Sequence, residues 1–236
     1  MNKEYFKKIL NTFNIELNEE KLNKFEIYLN ELIETNKNFN LTRIVDEKDV
    51  LEKHFLDSLI INKYINSNDK VIDIGSGAGF PGIPLKIFLD NINILMVDSV
   101  NKKVDFINKI ISELNLENAL AIHERAEDLA HNMNYREKYD VAVSRAVANM
   151  STLAEYLIPF VKIDGKIIYI KGPNIKDELN NSKNAINILG GKVEDIYEYK
   201  LPNLEQIYNI IVIKKVKSTN SKYPRKAGIP NNSPIK

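Results

Sequence analysis

The first quarter of the chain carries its apolar residues at helical spacing. Leu22, Phe25, Leu29, Leu32 and Ile33 make one stripe, and Leu51, Phe55 and Leu59 recur at i, i+4 and i+8 on a second helix. Between them, Asn36-Lys-Asn-Phe-Asn-Leu-Thr-Arg43 reads as loop and cap chemistry. Asn66-Ser-Asn-Asp69 is a polar break. Residues 1–66 are therefore expected to form an N-terminal helical subdomain.

From Lys70 the pattern alternates. Val71–Ile74 is a short apolar strand, and Pro81–Leu89 fits a helix with proline in its first turn. Ile92–Val97 is a second strand, followed by a helical stripe of Val104, Ile107, Ile111 and Leu114. Ala119–Ile122 and Tyr139–Val143 are the third and fourth strands. Leu153, Tyr156, Leu157 and Phe160 mark a helix that Asp164-Gly165 is expected to end. Lys166–Ile170 is a fifth strand, and a helix from Ile175 to Leu189 stops at Gly190-Gly191. Lys192–Tyr199 and Tyr208–Val216 are strands with no helix between them. Strands alternating with helices predict an α/β fold with a doubly wound parallel sheet over residues 67–217. The final pair predicts an antiparallel C-terminal strand, where plain dinucleotide-binding domains usually stay parallel.

Composition narrows the class. At 236 residues, 44% hydrophobic and 28% charged, the chain fits a soluble globular protein of one large domain, or of one domain with a small appendage. Cysteine is absent, which excludes disulfides, thiolate metal sites and a Cys nucleophile. No apolar run reaches the roughly 18 residues of a membrane-spanning helix, and Glu4 in a polar N-terminus does not suit a signal peptide. A cytoplasmic monomer with no membrane association and no bound metal is expected. The net charge is only +1, yet Lys214 to Lys236 contains no acid. Residues 218–236, the basic C-terminal tail, read either as a solvated tail or as a phosphate-binding edge.

The richest segment is Val71-Ile-Asp-Ile-Gly-Ser-Gly-Ala-Gly-Phe-Pro-Gly82, which follows a strand and opens a helix. Gly77, Gly79 and Gly82 satisfy the G-x-G-x-x-G spacing of NAD enzymes. Asp73, Gly75, Gly77 and Gly79 satisfy the D-x-G-x-G-x-G of S-adenosylmethionine (AdoMet) methyltransferases. A pyrophosphate favours a helix N-terminus without a nearby acid. AdoMet has no phosphate and carries a sulfonium and an ammonium, so Asp73 suits it. Asp73 is equally able to cap the loop by accepting from backbone N–H groups. Asp98, 23 residues after Gly75, ends the second strand and is placed to accept from ribose hydroxyls of either ligand. Ala126 and Glu127, in Arg125-Ala-Glu-Asp128, are candidates for the adenine edge, although the segment alone reads as a helix start. Ser144 and Arg145 fall at the rim of the fourth strand. Arg145 is a candidate for holding a phosphate or guanine edge, or for pairing with Asp140 or Asp164.

Together these segments resemble the glucose-inhibited division protein B (RsmG) family of small-subunit rRNA methyltransferases. The resemblance rests on Asn40-Leu-Thr, His54-Phe-Leu-Asp-Ser58, Asp73 through Pro84, Asp98-Ser99 with Lys102 to Phe106, Arg125-Ala-Glu127, Val143-Ser-Arg-Ala146, Tyr169-Ile-Lys-Gly172 and Tyr223 through Pro230. It implies a Rossmann-like AdoMet-dependent methyltransferase sheet and methyl transfer to N7 of one guanine of 16S rRNA, in the small ribosomal subunit or an assembly precursor. It also implies AdoMet contacts at Gly75, Phe80, Ala126, Glu127 and Arg145, the last as a positioning residue. Lys102, Lys171, Arg225 and Lys226 are the expected RNA contacts. Guanine N7 has a free lone pair and no proton, so the transfer needs alignment more than a base. His54, His123 and His131 are accordingly read as structural. Two other readings stay open: an NAD(P)-dependent oxidoreductase, and a non-catalytic RNA-binding protein that retains AdoMet.

Overall fold

A computed structural model describes residues 1–145, 148–173 and 175–236. Ala146 and Val147, within the motif that begins at Val143, lie outside the described residues. Helices α1 (Lys3–Asn11) and α2 (Glu19–Asn36) start where Asn2 and Asn18 accept from the N–H groups of Tyr5 and Lys21. The buried face of α2 is Leu22, Phe25, Tyr28, Leu29 and Leu32, and Ile33 is only partly covered.

The next helical segment is not regular. Asp46 caps α3 (Glu47–Val50), a π turn runs over Leu51–Leu56, α4 spans Asp57–Leu59, and a 3-10 turn covers Ile60–Tyr64. Leu51, Phe55 and Leu59 are all buried, but the expected single α-helix is corrected to a widened one. The cause is local. The carbonyl of Lys53 accepts Arg145 Nη1 at 2.6 Å, and a π turn spares a carbonyl from the ladder.

Seven strands follow, linked mostly by helices: β1 (Lys70–Ile74), α5 (Gly82–Phe88), β2 (Asn93–Asp98), α6 (Asn101–Glu113), β3 (Ala119–His123), α7 (Ala126–Leu129), β4 (Tyr139–Ser144), α8 (Met150–Leu157), β5 (Val161–Lys171), α9 (Ile175–Leu189), β6 (Gly191–Lys200) and β7 (Ile207–Lys215). The strand order is β3-β2-β1-β4-β5-β7-β6. Strands β1 to β5 pair in parallel, and β7 runs antiparallel to both of its neighbours. The order reverses between β1 and β4, which is where open α/β sheets bind ligands beyond their carboxyl ends.

Asp164-Gly165 does not end a helix. Helix α8 stops at Leu157, ahead of the turn Ile158-Pro159-Phe160, and β5 has already begun at Val161. Asp164, at φ 68°, and Gly165 form a bulge between the pairs Tyr139–Val161 and Val141–Lys166. A side chain at Gly165 would meet Asp140 O at 2.5 Å, so glycine is required there by close approach.

One hydrophobic cluster joins the N-terminal helices to one sheet face through Phe25, Phe55, Ile83 and Ile107 against Val71 and Met96. The other face packs Leu153, Leu157 and Leu189 against Ile72 and Ile167. Each fully buried side chain of this kind contributes about 1.5–3 kcal/mol. The C-terminal tail, with its short α10 (Ile229–Asn232), is docked rather than solvated. Arg136 donates to the carbonyls of Thr219, Asn220 and Tyr223, and Thr152 Oγ1 donates to Pro230 O at 2.9 Å. No helix among the described residues is long and apolar enough to cross a membrane.

Candidate active site

The glycine loop leaves β1 under tight backbone control. Gly75, Gly77 and Gly79 all have positive φ, of 74°, 60° and 98°. The N–H groups of Gly75 and Ser76 donate to Val97 O, and Ser144 Oγ donates to Ile74 O, so three strand ends meet under the loop. The N-terminal helices brace it from outside: Tyr28 Oη donates to Ala78 O at 2.6 Å. A side chain at Gly79 would meet Ile83 Cγ1 at 2.7 Å. Beyond Gly75, by contrast, the space is open.

Asp73 is fully buried below this loop. Its Oδ2 accepts from Gly82 N at 3.0 Å, and its Oδ1 has no partner among the described residues. Burial pushes its pKa up to about 7. It therefore shapes the loop from beneath and does not line the cavity above.

That cavity is bounded by Gly75, Asp98, Ala126, Glu127, Leu153 and Tyr156, among others. Of the residues expected to bind a cofactor, Gly75, Asp98, Ala126 and Glu127 are thus brought together. Gly77 contributes its N–H to Asp98 Oδ2 at 2.8 Å instead of its own surface. Asp98, Glu124 and Glu127 face the cavity against Arg125. Such a wall repels a pyrophosphate and suits a ligand that carries positive charge. The tail is tied to this wall, since Gly228 N donates to Glu127 Oε1 at 3.0 Å.

Phe80 and Arg145 stand away from this wall. Arg145 lies over the Phe80 ring at 4.9 Å and pairs with Asp57 at 3.5 Å. Pairing with Asp140 or Asp164 is corrected, because those acids hold Lys162 and Lys214. His54 stacks on Phe80 with centroids 4.4 Å apart, and its Nε2 lies 2.8 Å from Thr42 Oγ1. Burial pulls the His54 pKa down to about 3, so the ring is neutral. Asp57, whose pKa burial raises against the pull of Arg145, accepts from Tyr199 Oη at 2.5 Å. Pattern reading gave no functional role to Asp57, Tyr156, Tyr199 or Tyr208. The one signal in the sequence was the segment His54-Phe-Leu-Asp57.

The basic candidates are scattered. Lys171 Nζ donates to Ala148 O and pairs with Glu178 at 2.7 Å. Arg225 grips the fully buried Glu155 through Nε and Nη2. Lys102 is exposed over the Phe39 ring at 4.7 Å, and Lys226 is exposed on the tail.

Comparison with known proteins agrees with this geometry. The GidB family model, described as rRNA small subunit methyltransferase G, matches residues 21–207. The ribosomal RNA small subunit methyltransferase G of Clostridium kluyveri is 47% identical over 224 residues, covering 94% of each chain. That of Lactobacillus johnsonii is 43% identical and covers all of both chains. Among solved structures, M. jannaschii TYW2 in complex with AdoMet superposes with a TM-score of 0.53 at 16% identity, over 68% of this chain and 77% of that one. At that identity the likeness speaks for the fold alone.

Proposed function

We propose, from the premise that this chain belongs to the GidB (rRNA small subunit methyltransferase G) family, that it transfers a methyl group from AdoMet to N7 of a guanine in 16S rRNA. The carrying observation is the acidic, open-backed cavity between Gly75, Asp98 and Glu127 at the switch point of the sheet. Bound AdoMet supplies an electrophilic methyl: the N7 lone pair forms the new N–C bond, the C–S electron pair returns to sulfur, and no proton moves.

The roles of the chain's own residues follow from their positions. Asp98 accepts from ribose hydroxyls while it clamps the loop, and Ala126 and Glu127 flank the adenine. Gly75, with nothing within 4 Å of where a Cβ would be, lets the ligand approach the backbone. Asp73, Gly77, Gly79 and Phe80 set the loop's shape. Arg145 aligns the reacting partners, which is the main demand of an in-line transfer. Lys102 and Lys226 are exposed and pair with no acid among the described residues, which leaves them available to RNA phosphates, whereas Lys171 and Arg225 reach RNA only by leaving Glu178 and Glu155. The substrate is the small ribosomal subunit or its assembly precursor.

Calorimetry tests the ligand. AdoMet is expected to bind in the micromolar range, about −8 kcal/mol, and NAD not at all. Saturation by NAD without heat from AdoMet would overturn the reading. Transfer of labelled methyl to small subunits separates the enzyme from an RNA-binding protein that merely retains AdoMet.

A further inference from the structure

Residues 223–230 of the tail bridge the two helices that carry one side of the cavity between Gly75, Asp98 and Glu127. At α7, Gly228 N donates to Glu127 Oε1 at 3.0 Å, and just past that helix His131 Nε2 donates to Pro224 O at 2.7 Å. At α8, Arg225 donates to Glu155 through Nε at 2.9 Å and Nη2 at 2.7 Å, and Thr152 Oγ1 donates to Pro230 O at 2.9 Å.

The cavity wall comes from the same two helices: Ala126 and Glu127 of α7, Leu153 and Tyr156 of α8. Along α8 the two duties alternate. Thr152 and Glu155, three apart, meet the tail, and their next neighbours Leu153 and Tyr156, also three apart, meet the cavity. No tail residue among the described residues lines the cavity, so the tail acts on it only through α7 and α8.

Two buried carboxylates make the joint. Glu127 accepts from the tail's Gly228 and faces Tyr156, whose phenol is pushed up to about 12 by burial and then by the Glu127 carboxylate. The phenol stays protonated and is a donor toward that carboxylate. Glu155 is fully buried, and every donor it has among the described residues belongs to Arg225. Release of the tail strips a donor from each carboxylate and removes the ties between the two helices.

We propose that residues 223–230 form a clasp that sets the spacing of α7 and α8, so that tail docking and AdoMet binding are one linked equilibrium, with Arg225 and Gly228 as positioning residues. The inference rests on the methyltransferase reading above. By linkage, the factor by which the docked form binds AdoMet more tightly is the factor by which saturating AdoMet lowers the undocked population.

Two measurements on the full-length chain read that factor. The bond after the exposed Lys226 lies between the anchors at Arg225 and Gly228, so trypsin cuts it from the undocked form, at a rate that follows the undocked population. Saturating AdoMet is expected to slow this cut at least fivefold in wild type and to leave it unchanged in Arg225→Ala/Glu155→Gln, whose tail is already released. Calorimetry is expected to show that the double variant binds AdoMet at least fivefold more weakly than wild type. Arg225→Ala alone should bind equally weakly although it melts lower, because affinity follows the clasp and not the stability. A wild-type cut indifferent to AdoMet, a double variant within twofold of wild-type affinity, or affinity that recovers together with the melting temperature would each overturn the clasp. If the wild-type chain binds no AdoMet at all, the methyltransferase reading itself fails, and the clasp falls with it.

Discussion

Gly77 N–H donates to Asp98 Oδ2 at 2.8 Å while Val100 N–H donates to Asp98 Oδ1 at 2.9 Å, so one carboxylate clamps the glycine loop to the end of β2. Asp98→Ala is expected to weaken AdoMet binding by about 1–3 kcal/mol, through lost charged hydrogen bonds and a loosened loop. Asp98→Asn should lose less, because one acceptor remains. Calorimetry measures both, and unchanged affinity in the alanine variant would contradict the role.

Arg145 and Asp57 depend on each other. Removing Arg145 leaves a buried carboxylate with Tyr199 as its one partner among the described residues, and removing Asp57 leaves the guanidinium with Lys53 O. Arg145→Ala is expected to lower methyl transfer sharply and to cost about 1–3 kcal/mol of stability while the chain still folds. In a double-mutant cycle, Asp57→Asn should cost less in the Arg145→Ala background than alone. A wild-type rate for Arg145→Ala would refute its role, and zero coupling would refute the pair.

The tail is held by a charge that cannot be left alone. Glu155 is fully buried, and Arg225 covers it. Arg225→Ala is expected to destabilise the protein by about 3 kcal/mol, and Glu155→Gln in the same chain should recover part of that loss. Lys226→Ala, in contrast, should leave the melting temperature unchanged and make the log–log salt dependence of RNA binding shallower by about one unit. Thermal melts and binding titrated with salt distinguish the two residues. A flatter salt slope for Arg225→Ala at unchanged stability would place Arg225 on the RNA instead.

Two buried groups give opposite pH dependences. The folded pKa of His54, at about 3, lies below its unfolded value, so His54 lowers stability as pH falls beneath 6.5. The loss reaches about 2 kcal/mol at pH 5, and His54→Gln should gain on wild type in that direction. The folded pKa of Asp73, at about 7, lies above its unfolded value. Its destabilising effect is present at high pH and fades as pH falls from 7 toward 4, so Asp73→Asn should gain on wild type as pH rises from 4 to 7, with the gain level above 7. Melting temperatures of the three proteins from pH 5 to 8 check the signs, and parallel curves would contradict both.

Much of the frame was legible because it obeys local rules. Short apolar runs gave the five parallel strands, and Asp73 through Gly82 gave the loop, because positive φ admits little but glycine. What escaped was tertiary. The π turn at Leu51–Leu56 exists because Arg145, far along the chain, takes the carbonyl of Lys53. The helix expected to run on to Asp164 gave way to a strand that pairs with β4. Asp57, Tyr199 and Tyr208 meet only once β6 and β7 have joined the sheet, and no spacing could show that. Lys171 and Arg225 looked like free cations because their acids, Glu178 and Glu155, sit on helices that fold back on them.

The central claim is tested most directly by mapping the methyl group. Small ribosomal subunits lacking the modification are incubated with the protein and labelled AdoMet, and the rRNA is treated with borohydride and aniline, which break the chain at N7-methylguanine. A single new scission that carries the label stoichiometrically is the expected result. Label on an exocyclic amine, on a pyrimidine or on no RNA at all would contradict it.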